Sequence, residues 1–341
     1  MKQEKSYICV NEYAPVDENT YLYFKKVGMQ KSDGFALING GEVYVIDGGK
    51  GDDEGMLNFL ISLREKWLGD RPDTGRLEIH LIISHPHADH IGILPVIMSD
   101  SRFCVLSIHA PERSYRSKDV ADALPSLTAE ENKMDILLEH LHTYGHVARE
   151  ICRLPYGKKH TILLENSDTV LELYPAQFDW SEDRASESEG FALISKFTSP
   201  TYKDNPQLGY TNGILNGNSL WVKIIKGKHV VLITGDQRDS DEMLGSMIRY
   251  YGEENFGCDI LKLPHHGEKN YCPYLLEVSK PKITVFTAAD GCQTRETQAL
   301  CEMLGDVFHL CDGDLIFTLN DDGITSEGIL PRKEIGRHET I

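Results

Sequence analysis

Ser84-His85-Pro86-His87-Ala88-Asp89-His90-Ile91-Gly92 sets three imidazoles and a carboxylate within six residues, directly behind the apolar run Leu77-Glu78-Ile79-His80-Leu81-Ile82-Ile83. The run has the length and composition of a buried strand, and Ile91 to Met98 reads as the start of a helix. The polar cluster therefore lies on a strand-to-helix loop, where rigid elements can hold it. His85 and His87 are two positions apart, so on an extended segment both project to one side and can grip a single ion. Asp89 and His90 are adjacent and face differently, which suits a second ion close by. A lone loop histidine is usually surface decoration, but four ligand-type residues at this spacing read as a metal centre. Imidazole and carboxylate without thiolate favour Zn, with Mn or Fe as the other candidates. They also favour an open site that keeps a position for water, and hence hydrolysis.

Two ions need more ligands than this loop supplies, and the downstream sequence offers them at further strand ends. His229-Val230-Val231-Leu232-Ile233-Thr234-Gly235-Asp236 is an apolar strand closing on an acid, which makes Asp236 the candidate bridge between the ions. Cys258-Asp259-Ile260-Leu261-Lys262-Leu263-Pro264-His265-His266-Gly267 delivers a histidine pair into a glycine turn. Adjacent residues point in different directions, so one of the pair is expected on metal and the other on substrate. His266 is assigned to the second ion with Asp89 and His90, and His265 to the substrate. Upstream, Val43-Tyr44-Val45-Ile46-Asp47-Gly48-Gly49 delivers another acid, and Asp47 is expected to orient a metal-bound histidine from behind.

Taken together these segments resemble the metallo-β-lactamase superfamily, which carries an aspartate after an early strand, an HxHxDH loop, and later Asp and His ligands. Within it the likeness is greatest to the hydrolase domain of ComEC-type competence proteins. The matching residues are Ser32-Asp33-Gly34-Phe35-Ala36-Leu37-Ile38, Val45 to Gly49, His85 to His90, Asn218-Ser219-Leu220, Leu232 to Asp236 and Leu261 to Gly267, in family order. The resemblance implies a four-layer αββα sandwich of the α/β class, two divalent ions, and hydrolysis by a metal-bridging hydroxide. It implies catalytic roles for Asp89, His265 and Asp47, and contact with substrate for Asn218 and His265. Phosphorylcholine esterases lie in the same neighbourhood, which favours phosphodiester chemistry. Carboxylic ester, lactone or thioester hydrolysis is the alternative, followed by a nuclease working with a basic partner and by a non-catalytic, metal-stabilised binding subunit.

The chain also departs from that pattern. Many superfamily members place a third histidine on the first ion, but no histidine lies between Thr161 and Lys228, and His160 precedes an apolar run. Ala289-Asp290-Gly291-Cys292-Gln293-Thr294-Arg295-Glu296 stands where the competence proteins have an Asn-rich, His-Pro segment. The flavodiiron branch has a glutamate at the position of His87, which argues against an oxygen-reducing diiron protein.

With 35 basic and 53 acidic side chains the formal charge is −18, which opposes nonspecific attraction to polyanions. A small-molecule or nucleotide-type phosphodiester is the expected substrate, and nucleic acid only with a basic partner or a local groove. No apolar run approaches the roughly 20 residues needed to span a bilayer. The start Met1-Lys2-Gln3-Glu4-Lys5 leads into no apolar signal core. Eight scattered cysteines form no CxxC pair, as expected of reduced thiols in a cytoplasmic protein without membrane contact. The ligands run from Asp47 to His266, so the whole chain, 1–341, is expected to form one domain. Residues 110–217 read as an atypical insertion within it, including a long polar loop or lid over 177–210.

Overall fold

The structure, a computed structural model, describes residues 19–27, 31–69, 75–113, 125–143, 150–165, 167–177, 206–237, 243–268 and 273–332. The strands are β1 (Thr20–Phe24), β2 (Gly34–Asn39), β3 (Glu42–Gly48), β4 (Leu77–Ile82), β5 (Phe103–Pro111), β6 (Glu150–Leu154), β7 (His160–Leu163) and β8 (Thr169–Tyr174). They continue as β9 (Trp221–Lys226), β10 (His229–Ile233), β11 (Ile260–Lys262), β12 (Ile283–Phe286), β13 (Asp306–His309), β14 (Leu315–Asn320) and β15 (Gly323–Gly328). The helices are α1 (Gly55–Leu68), α2 (Leu94–Ser99), α3 (Pro125–Thr143), α4 (Pro206–Gly217), α5 (Met243–Tyr251), α6 (Pro273–Ser279) and α7 (Arg295–Leu304), with a helical turn at Ala88–Ile91.

Strands β15-β14-β1-β2-β3-β4-β5-β6 form one sheet, antiparallel as far as β3 and parallel from β3 to β6. Strands β13-β12-β11-β10-β9-β8-β7 form the other, parallel from β13 to β10 and antiparallel beyond. Buried on both faces, the central strands read as nearly unbroken apolar runs in which alternate residues serve different layers. Val43 and Val45 of β3 face α1, α2 and α3, whereas Tyr44 and Ile46 face the second sheet. In β10, Val231 and Ile233 enter the core between the sheets and Leu232 packs with Leu244 and Met247 of α5. The result is the expected four-layer α/β sandwich: helices, sheet, sheet, helices.

The stretch expected as an insertion is woven into both sheets: β6 extends the first, and β7 and β8 extend the second. It also supplies α3 and α4, which pack against each other. Most of the expected lid lies outside the described residues, and its last positions open α4. No helix among the described residues is long and apolar enough to cross a membrane.

Candidate metal centre

The strand directions bring the candidate ligands to one edge. Parallel strands β3 and β4 of the first sheet end at Asp47 and at the His85–His90 loop, and β10 and β11 of the second end at Asp236 and at the His265–His266 pair. Loops beyond the carboxyl ends of parallel strands are where open α/β sheets hold ligands. Strand β2, antiparallel to β3, begins at the same edge, and Asp33 directly precedes it.

At this edge His85 Nε2 and His87 Nδ1 face each other at 2.8 Å. Asp236 Oδ2 lies 3.3 Å from His90 Nε2 and 3.0 Å from His266 Nε2, and Asp89 Oδ2 lies 3.4 Å from the latter. One ligand-type atom from each of Asp33, His90, Asp236 and His266 falls within 4.8 Å of the others, all four residues being buried. His90 Nε2, His266 Nε2 and Asp236 Oδ1 are buried without a well-formed hydrogen bond, held only at ion-pair distance, the two nitrogens from Asp236 Oδ2 and Oδ1 from the Lys262 ammonium. Buried polar atoms rarely go unsatisfied. Several that converge on one point fit a cation, and imidazole with carboxylate is the donor set of zinc and related ions. His85, His87, Asp89, His90, Asp236 and His266 are thus brought together.

Behind the ligands stand two matched carboxylate–imidazole pairs. Asp47 Oδ2 bonds His90 Nδ1 at 2.8 Å and also accepts the Ser84 hydroxyl at 2.7 Å, while its Oδ1 accepts the Ser84 N–H at 2.8 Å. Asp33 Oδ1 bonds His266 Nδ1 at 2.9 Å and accepts the Thr287 hydroxyl at 2.5 Å. In each case the outer nitrogen is fixed and Nε2 turns inward, the arrangement that orients metal-bound histidines. Asp47 therefore fixes the His90 ring and is not among the residues that line the cleft. Asp33 does the same for His266, and its second oxygen is ion-paired to the fully buried Lys262 ammonium, which also donates to the Gly235 carbonyl at 2.9 Å. Asp33 and Lys262 belong to this buried network, and motif reading assigned neither of them a role. The available signal was a lysine inside the otherwise apolar strand Ile260–Lys262.

Burial disfavours the charged form of every group here, so the net shifts measure the pairing that overcomes it. His90 is raised well above its ordinary value by Asp236 and Asp47, and His266 is pushed up to about 10 by Asp236 and Asp33. The Lys262 ammonium and the His266 imidazole hold Asp33 down at about 2. His85, buried beside two other imidazoles, is lowered well below its ordinary value and is neutral at pH 7.

The ligand turns are conformationally costly. Asp47, His265 and His266 adopt φ of 50°, 49° and 62°, left-handed values unusual for residues with a side chain. Through the two successive left-handed residues His266 is fully buried among the ligands, while His265 stays half-buried on the wall of the cleft. The cleft encloses about 270 Å³ and is lined by His87, Asp89, Asp236 and His265, with Glu130 and Lys133 from α3 and Asn212 and Asn216 from α4. Asn218 is buried and is not among the lining residues, whereas Asn212 and Asn216 of α4, six and two residues earlier, are.

The sequence matches no family model and no curated protein. Among solved structures it is similar to the metallo-β-lactamase fold protein YhfI from Bacillus subtilis (10% identity, TM-score 0.44, covering 89% of this chain and 100% of that one). It is also similar to Zn(2+)-bound PqqB from Methylobacterium extorquens (10%, TM-score 0.45, 88% and 99%). A third is a diphosphatase of the PhnP family (16%, TM-score 0.45, 88% and 98%). These are likenesses at low identity, and nothing of those proteins' chemistry is carried to this chain by them.

Two outcomes are expected. Lys262→Met should destabilise the protein by about 3–5 kcal/mol, because it strands the Asp33 carboxylate, and Asp33→Asn in the same chain should recover a large part of that loss. Denaturant unfolding of the two single variants and the double variant measures the coupling, and strictly additive losses would contradict the pairing. The raised values of His90 and His266 mean that both are imidazolium at pH 7 without metal, whereas a ligand must be neutral. Metal uptake should therefore release about two protons and tighten as pH rises toward the folded-state values. Titration calorimetry in buffers of different ionisation enthalpy counts them, and binding without proton release would contradict the shifts.

Proposed function

We propose that the chain is a dinuclear metal-dependent hydrolase of phosphodiesters, of the metallo-β-lactamase superfamily and nearest the ComEC-type hydrolase domains. The observation that carries the reading is the convergence beside the His85–His87 pair of buried atoms of His90, His266 and Asp236 that lack a well-formed hydrogen bond. His85 and His87 would hold one divalent ion, Asp89, His90 and His266 the other, with Asp236 shared, and zinc is the first candidate ahead of manganese or iron. When bound, such a pair supplies a water nucleophile of lowered pKa and Lewis acidity toward the attacked group.

The chain's own residues favour an anionic ester over a neutral one. His265 stands on the cleft wall with the Lys31 ammonium 3.4 Å from its Nε2, so a cation and an imidazole face a bound phosphoryl oxygen. A carboxylic ester, lactone or thioester brings no charge for Lys31 to meet. At about 270 Å³ the cleft is near the lower end of small-ligand sites, which supports a small or nucleotide-type substrate over a long duplex.

Bis(p-nitrophenyl) phosphate should be hydrolysed by the metal-loaded protein, and Asp236→Ala should lower kcat/KM by on the order of a thousandfold without unfolding the chain. His266→Ala should lose metal, whereas His265→Ala should keep metal and lose kcat. Turnover unchanged in Asp236→Ala would overturn the shared-ligand assignment, and p-nitrophenyl acetate preferred over the diester would overturn the substrate class.

A further inference from the structure

Lys31 belongs to two cavities. On one side it lines the metal cleft, and on the other a trough of about 620 Å³ whose walls include Lys25, Lys26, Lys50 and Ser32. Ser32 ties the two together, because its hydroxyl donates to the Asp89 carbonyl at 3.3 Å and accepts the Lys50 N–H at 3.1 Å. Four lysines around one trough are conspicuous in a chain with 35 basic against 53 acidic side chains.

The acids of the trough are largely engaged. Asp53 is ion-paired with the buried Lys25 and accepts the Gly55 N–H at 3.0 Å, and Asp52 meets Lys50 at 3.3 Å. Asp314 accepts the Lys26 N–H at 2.6 Å. Glu54 is exposed at the rim. Of the cations, the half-buried Lys26 ammonium has neither an ion pair nor a hydrogen bond among the described residues. Lys31, about one-third exposed, is held only by Glu268 and His265 at 3.4 Å each. The Lys26 ammonium thus remains for a ligand, with the paired but partly exposed Lys31 in the same wall, beside a cleft that would hold the scissile group.

We propose that the trough is a second anion subsite of the same active site. The natural substrate carries a further phosphate or carboxylate that seats between Lys26 and Lys31 while its ester lies in the metal cleft. This rests on the hydrolase reading for the scissile group, but the anion subsite is testable without it.

Three alkyl p-nitrophenyl phosphates of equal tail length separate the possibilities: one with a propyl tail, one ending in a carboxylate and one ending in a phosphonate. With the metal-loaded protein an anionic tail should raise kcat/KM about tenfold over propyl, and the better of the two identifies the group. In Lys26→Met, with Lys26→Gln as the second variant should the first fold poorly, that preference should fall below about twofold. No preference in the parent protein, or a preference that survives both variants, overturns the proposal. Sulfate titrated into the same proteins and followed by calorimetry gives a readout apart from catalysis, with weakening of about fivefold or more expected in the Lys26 variants. If none of the esters is hydrolysed, the hydrolase reading fails, and the sulfate result alone decides the subsite: weakening upholds it, and unchanged or absent binding overturns it.

Discussion

Asp236 is a carboxylate only 1% exposed, held between the imidazoles of His90 and His266, and the rest of the site is arranged around that charge. An ion so far from water persists only where opposite charge and hydrogen bonds replace its hydration. His90 and His266 supply the charge, and each is in turn backed by a buried acid, Asp47 or Asp33. Asp33 then needs its own cation, which is why Lys262 lies fully buried inside the short strand β11. Negative and positive groups therefore alternate from Lys262 through Asp33 and His266 to Asp236, and on through His90 to Asp47. Removal of any member leaves a neighbour uncompensated in low dielectric. A divalent ion would replace the imidazolium protons as the counter-charge of Asp236, so the same arrangement suits both the protonated and the metal-bound state.

Holding that chain of charges requires backbone that the strands alone do not provide. Three of the four strands that lead into the cluster end on left-handed residues: Asp47 and Gly49 at the end of β3, Gly235 after β10, and His265, His266 and Gly267 after β11. Glycine takes such values freely, whereas Asp47, His265 and His266 take them at a cost that the surrounding sheets must meet. The benefit is directional. The turn after β11 sends His266 inward to Asp236 and leaves His265, just before it, on the cleft wall, and the turn at Asp47 aims its carboxylate at His90 and Ser84. The four-layer packing supplies the rigidity, with residues such as Val45 and Ile46 locked between layers immediately before the turn begins.

Much of this was readable in the sequence because ligand and strand signals are both local. An apolar run followed at once by His, Asp or Gly marks a strand end with chemistry on it, and the runs before Asp47, His85, Asp236 and His265 all occur as strands. What was not readable depends on partners far along the chain. Strand β1 pairs Thr20 with Asn39 on one side and with Leu319 on the other, and nothing in Thr20–Phe24 announces the second partner. Strand β6 lies in a stretch whose composition reads as an insertion, yet it completes the first sheet. Asp33 and Lys262 lie in segments that match the family pattern, but no role could be read for either, because the ion pair that joins them links positions more than two hundred residues apart. Asn218, expected on substrate from its place in a motif, is buried, and the amides that line the cleft are those of Asn212 and Asn216.

The central claim is that the converging imidazoles and carboxylates hold two ions with Asp236 between them. Crystals of the zinc-loaded protein, measured on both sides of the zinc absorption edge, test it directly. The account predicts two anomalous peaks, one against His85 and His87 and the other against Asp89, His90 and His266, with Asp236 within bonding distance of both. A single peak, or zinc bound away from Asp236, would contradict it.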